Sequence, residues 1–346
     1  MPETKTLVSI AGDRFLIDGK PTYEGRRWNG RSIEGLLFNS RMANAIINDE
    51  NPATRGVWSY VDQAFTPERN TREFIAALPQ YYAHGLRAVS INLQGGSPQG
   101  YSWNQPWQTS GFLPSGAVKA DYLQRLDEVI GACDRTGMII ILGLFYWKQS
   151  QILSDEAAVR NAVSNVVDWL VGRRARNVLL EIGNEVDLAY AHPIIEPARC
   201  HELIRLAQER SAGRLNTPQG RLLVSTSLVH APRFGDNLME VCDFLLLHGN
   251  RAHHPDTIRL QVLRNRTASA YRGQPIIYNE DDHFDFDKAD NNMIAAIGEG
   301  ASWGYFDYRE TRERFEDGFQ SLPVDWTISS TRKRSFFGLL KEITGS

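Results

Sequence analysis

Short apolar runs recur along the chain between longer segments of helical periodicity. The clearest are Ala88–Leu93, Met138–Phe145, Val178–Ile182, Leu222–Ser225, Phe244–Leu247, Ile276–Tyr278 and Trp303–Phe306. Runs this short and continuously apolar suit parallel strands buried on both faces. Between them, Leu123, Leu126, Val129, Ile130 and Cys133 repeat at three and four residues. Val159, Ala162, Val163, Val166, Val167 and Leu170 do the same, and so do Cys200, Leu203, Ile204 and Ala207. That spacing predicts amphipathic helices. The helix over 121–135 stops at Gly137, a residue suited to a left-handed C-terminal cap.

With a first strand placed within Thr22–Phe38, eight β/α units are present, and the predicted fold is an α/β (β/α)8 TIM barrel. Ahead of it, Leu7–Ile10 and Arg14–Ile17 flank Ala11-Gly12-Asp13 and predict a β-hairpin. No Pro/Gly/Ser-rich linker divides the chain. Residues 1–346 therefore read as a single domain, with residues 1–21 as a hairpin capping the barrel bottom. A doubly wound sheet would need a glycine-rich phosphate turn, and Gly95-Gly96 lacks the GxGxxG pattern.

Composition adds mainly exclusions. The 346 residues carry a net charge of −3, which gives no reason to expect nucleic acid or an anionic membrane as partner. No stretch approaches the roughly 18 consecutive apolar residues of a membrane span. The start, Met1-Pro2-Glu3-Thr4-Lys5, lacks a signal-peptide pattern, so a cytoplasmic location is expected. Cys133, Cys200 and Cys242 lie far apart and suggest neither a disulfide framework nor a metal site.

Polar residues gather where the apolar runs end. These ends read Asn92-Leu93-Gln94, Tyr146-Trp147-Lys148, Asn184-Glu185, His248-Gly249-Asn250, Asn279-Glu280-Asp281-Asp282-His283 and Asp307-Tyr308-Arg309. In a barrel, such positions form the mouth that carries the chemistry. Glu185 ends the fourth strand and Glu280 the seventh, so their carboxylates are expected to face each other across the axis. A facing pair suits glycosidic cleavage, with one carboxyl as acid and the other as nucleophile or as base toward water. Glu181 lies about 13 Å below Glu185 at ~3.3 Å per residue and reads as a buried structural carboxylate.

On these residues the chain resembles the clan-A glycoside hydrolases. The resemblance is carried by Glu181-Ile182-Gly183-Asn184-Glu185, by Pro275-Ile276-Ile277-Tyr278-Asn279-Glu280 and by the opening Phe15-Leu16-Ile17-Asp18-Gly19-Lys20-Pro21. It implies a retaining enzyme with Glu185 as acid/base, Glu280 as nucleophile and Asn184 donating to the sugar 2-hydroxyl. There are departures from that pattern. Val186 follows Glu185 where many members have proline, and the sixth strand offers His248 without a tyrosine to orient the nucleophile. The supporting arginine is Arg41 or Arg27.

Trp58, Trp103, Trp107, Trp147 and Trp303 fall in loops or strand ends, and aromatic faces suit pyranose rings. The expected partner is therefore a carbohydrate. Its contacts are assigned to Asn184, Asn92, Trp103, Trp147, His248, Asp282, His283 and Trp303. Metal is not expected, because no HxH or HExxH spacing accompanies His248, His253-His254 or Asp281-Asp282-His283; no other cofactor is implied. Two other readings stay open: a transglycosidase on the same site, and a carbohydrate-binding barrel without turnover.

Overall fold

A computed structural model describes residues 3–96, 104–230, 233–310 and 312–346. Eight barrel strands alternate with helices. They are β1 (Asn39–Arg41), β2 (Ala88–Asn92), β3 (Ile139–Tyr146), β4 (Val178–Asn184), β5 (Leu223–Ser225, continued by Ser227–Leu228), β6 (Leu245–His248), β7 (Ile276–Glu280) and β8 (Gly304–Phe306). Parallel pairing runs β5-β4-β3-β2-β1-β8, and the continuation of β5 pairs with β6 and β6 with β7. Parallel bridges Ile277–Ser302 and Asp281–Tyr305 join β7 to β8 and close the ring. The expected (β/α)8 barrel is what the chain forms.

The helices follow the sequence spacing. Helix α1 (Pro67–Ala83) is capped by the Thr66 side chain, and α2 (Ala120–Thr136) ends at Gly137 with φ +78°. Next come α3 (Glu156–Arg173), α4 (Cys200–Ser211), the single turn α5 (Asp236–Met239), α6 (Pro255–Arg266), α7 (Asn292–Gly298) and α8 (Thr331–Thr344). No helix among the described residues is long and apolar enough to cross a membrane. All three cysteines are buried and free.

The first strand corrects the sequence reading. It starts at Asn39, just past Thr22–Phe38, a span that holds a small hairpin of Arg27–Trp28 and Arg31–Ser32. Hydropathy hides this strand because its three residues are polar, yet all are buried. Their groups find partners inside: Asn39 Nδ2 donates to the Tyr278 carbonyl at 3.0 Å and Ser40 Oγ to the Tyr305 carbonyl at 3.2 Å.

The barrel interior changes character along its axis. Leu37, Ala88, Ile139, Ile141, Leu179, Leu223, Leu246 and Ile277 form one buried apolar cluster. Side chains alternate faces along a strand, so the next inward positions lie two residues on. These are Asn39, Ser90, Gly143, Glu181, Ser225, His248 and Asn279. All are buried and none carries an apolar side chain. Strand register sets Asn92, Gly143, Glu181 and Ser225 level with one another. A Cβ at Gly143 would lie 2.6 Å from Asn92 Oδ1, so any larger residue there would push Asn92 aside.

The N-terminal hairpin, Val8–Ala11 with Arg14–Ile17, places Val8 and Phe15 in the lower cluster. Phe15 is fully buried and meets the Phe244 ring edge-on, with centroids 6.0 Å apart. Phe15→Ala should therefore lower unfolding free energy by about 3–5 kcal/mol in urea denaturation, the usual cost of deleting a buried aromatic side chain. A loss below about 1 kcal/mol would mean that the hairpin contributes little to the core.

Candidate active site

The end of β1 supplies the central cation. Arg41 is almost fully buried, and its Nε lies 2.5 Å from Glu280 Oε2 at the end of β7. Its Nη2 donates to Asn184 Oδ1 at 2.6 Å, and its Nη1 lies 4.0 Å from Glu181 Oε2. Of the two arginines left open by sequence, Arg41 reaches Glu280. Arg27 sits in the exposed hairpin, bonded to the Gly30 carbonyl.

The end of β6 supplies the groups that bridge the two glutamates. His248 Nδ1 lies 2.9 Å from Glu185 Oε1 and 3.6 Å from Glu280 Oε2. Asn250 Nδ2 donates to Glu280 Oε1 at 2.7 Å, occupying the oxygen that Arg41 leaves. The glycine between them is needed, because a Cβ at Gly249 would lie 2.2 Å from Asp281 Oδ2.

Three carboxylates thus surround one guanidinium and one imidazole. Burial favours a neutral Arg41, but the charges of Glu280, Glu181 and Glu185 outweigh it and raise its pKa further. Burial also opposes protonation of His248, yet Glu280 and the bond to Glu185 carry its pKa upward. Glu181 is raised by burial, beyond what Arg41 and His248 take back. Tyr146, the last residue of β3, is pushed up to about 12 by burial and by Glu185 and Glu280. These shifts come from burial and from the opposite charges packed together in a low-dielectric site.

Not every expected residue joins this cluster. Trp303 is corrected outright: it is fully buried just before β8, away from the polar strand end at Asp307. Its ring packs on Phe286 and Phe336, and its Nε1 donates to Asp281 Oδ2 at 2.9 Å. Asn92 lines the interior, nearly without exposure, level with Glu181 rather than on the rim. Trp147 lies half-buried just past β3, with Lys148 Nζ 4.7 Å from its ring centre. Trp103 lies outside the described residues.

After β7 the chain carries a second polar group. Asp281 is fully buried and accepts from Trp303 Nε1, from Asn292 Nδ2 at 3.0 Å and from His283. The His283 Nδ1 contact is 2.7 Å, and this bond raises the imidazole pKa. Asp282 and His283 are half-buried, with Asp282 Oδ1 3.5 Å from His283 Nδ1. Asn250 and Tyr146 were overlooked as site residues. Their only sequence signal was a place at the end of an apolar run.

Two groups bring three metal-type ligand atoms within 4.8 Å of one another: Glu185, His248 and Glu280, and Asp281, Asp282 and His283. In the first, a divalent ion would meet Arg41 already seated on Glu280, and two cations at that range repel. In the second, both Asp281 oxygens already accept N–H donors. Neither donor set suits an ion well.

No protein-family model matches the chain, and no curated protein matches it by sequence. Solved structures do match. A GH5-4 broad specificity endoglucanase from Bacteroides salanitronis is 14% identical, with a TM-score of 0.55 over 89% of this chain and 93% of that one. The endo-1,4-beta-mannanase from Rhizomucor miehei is 10% identical, with a TM-score of 0.56 over 98% of this chain and 100% of that one. An exo-beta-1,4-mannosidase from Opitutaceae bacterium strain TAV5 is 14% identical, with a TM-score of 0.54 over 94% of this chain and 62% of that one. At such low identity the likeness is one of fold: this chain shares its (β/α)8 architecture with these glycoside hydrolases.

Proposed function

We propose that the protein is a retaining glycoside hydrolase in which Glu280 is the nucleophile and Glu185 the acid/base. The observation that carries this reading is the approach of one oxygen of each carboxylate to within 4.8 Å, at the C-terminal ends of β4 and β7. Retention is the outcome associated with carboxyl groups about 5–5.5 Å apart, whereas inversion needs roughly 6.5–9.5 Å to admit a water.

The residues divide the work by their partners. Arg41 and Asn250 each occupy one oxygen of Glu280, which holds the carboxylate aimed. Glu280 attacks the anomeric carbon while the bond to the leaving oxygen breaks and Glu185 gives that oxygen its proton. The product is a glycosyl ester on Glu280. Glu185, now a carboxylate, takes a proton from water, whose oxygen attacks the anomeric carbon and releases Glu280. His248 Nδ1, 2.9 Å from Glu185 Oε1, fixes one oxygen of the acid/base carboxyl. Arg41 fixes the Asn184 amide by its oxygen, which leaves the Nδ2 hydrogens for a sugar hydroxyl.

The test is the configuration of the first product. Wild-type protein would be given aryl glycosides and aryl disaccharides of glucose, mannose and xylose, and the new anomer read by NMR before mutarotation. Retention is expected. Inversion, or no turnover across the panel, would overturn the reading.

A further inference from the structure

The chain turns sharply at Glu185, and the turn is anchored to a neighbouring strand. Glu185 has φ +52°, a left-handed backbone that non-glycine residues adopt only at a cost. Among the described residues, Asp18, Tyr23, Asn29 and Arg312 also have positive φ and lie in loops or turns, and Arg174 ends α3. Glu185 differs in following a strand whose every residue is buried.

Ser227, in the continuation of β5, holds both sides of this bend. The Glu185 N–H donates to Ser227 Oγ at 2.9 Å, and the Val186 N–H donates to the Ser227 carbonyl at 3.0 Å. Ser227 itself is fully buried, so water does not compete for these bonds. One turn further, the Asp187 carboxylate accepts from the N–H groups of Val229 at 3.0 Å and His230 at 2.6 Å. The Leu188 N–H closes the turn on the Glu185 carbonyl at 2.8 Å.

This geometry accounts for the valine after Glu185. Proline at 186 would lack the N–H that Ser227 accepts, and it would drive the preceding residue toward an extended backbone. The side chain of Glu185 leaves this bend and meets His248 Nδ1 at 2.9 Å.

We propose that Ser227 is a positioning residue for the acid/base: it locks Glu185 in a left-handed elbow, and that elbow aims the carboxyl at the leaving oxygen. The proposal rests on the assignment of Glu185 above. Ser227 touches neither substrate nor reacting atoms in it; beyond the bonds to the Glu185 and Val186 N–H groups, its hydroxyl meets only the Gly183 carbonyl at 3.5 Å and the Glu181 carboxylate among the described residues.

The test compares phenyl with 2,4-dinitrophenyl glycosides of whichever sugar the wild type turns over. Dinitrophenolate leaves without a proton, so only the phenyl substrate needs an aimed acid. The readout is the ratio of the two kcat/KM values, which is independent of how much of a variant is folded. Ser227→Ala should raise the dinitrophenyl-to-phenyl ratio about tenfold, and Val186→Pro at least as far. Glu185→Ala should raise it by about 10²–10⁴, the usual contribution of a general acid. If Glu185→Ala shows the rise but both elbow variants stay within about twofold of wild type, Ser227 is merely structural and the proposal fails. If Glu185→Ala shows no rise, the assignment of Glu185 fails instead.

Discussion

Glu280→Ala should lower kcat/KM on an aryl glycoside by a factor on the order of 10⁴ or more, the scale seen when a covalent nucleophile is removed. The fold should survive the change. Arg41 keeps Asn184 and the neighbouring Glu181, so the loss of Glu280 does not leave the guanidinium alone. The shortened side chain opens space beside the anomeric carbon, on the face from which Glu280 would have attacked. Azide entering that space should restore turnover and yield a glycosyl azide of inverted configuration, since only one displacement then takes place. Wild-type activity in Glu280→Ala would sink the nucleophile assignment. Rescue with retained configuration would point to a different residue.

Arg41→Met should have the largest effect on stability. The substitution keeps most of the side-chain volume and removes the charge from a position that is 1% exposed. Glu280 and Glu181 would then lie close together without their shared counter-ion. Removing one partner of a buried pair costs about 3–5 kcal/mol, because the other charge stays buried and unpaired. Urea unfolding measures the loss. The double variant Arg41→Met with Glu280→Gln should lose less than the sum of the two single changes, by about 1–3 kcal/mol. Additive losses would mean that the 2.5 Å contact is not the one that balances the charge.

The sequence disclosed the barrel because seven of its strands are apolar runs of a recognisable kind. It hid β1 because Asn39-Ser40-Arg41 is polar and still buried, which hydropathy reads as a loop. The same rule explains what was legible in the site. Glu185 and Glu280 stand at the ends of apolar strands and were found there. Asn250 also follows an apolar run, but its relation to Glu280 depends on β6 and β7 lying side by side, which no local pattern records. Trp303 misled for the opposite reason. It begins a strand instead of ending one, and its indole is spent on Asp281 and the α8 side of the sheet.

The switch from apolar to polar lining inside the barrel has a consequence for how this protein can change. Each inward-facing position makes that switch in a single two-residue step, so the apolar lower layer of the barrel and the layer that bears charge share almost no side chains. Substitutions among Leu37, Ile139, Leu179 and Ile277 need only conserve volume. They can accumulate without touching Arg41 or either glutamate.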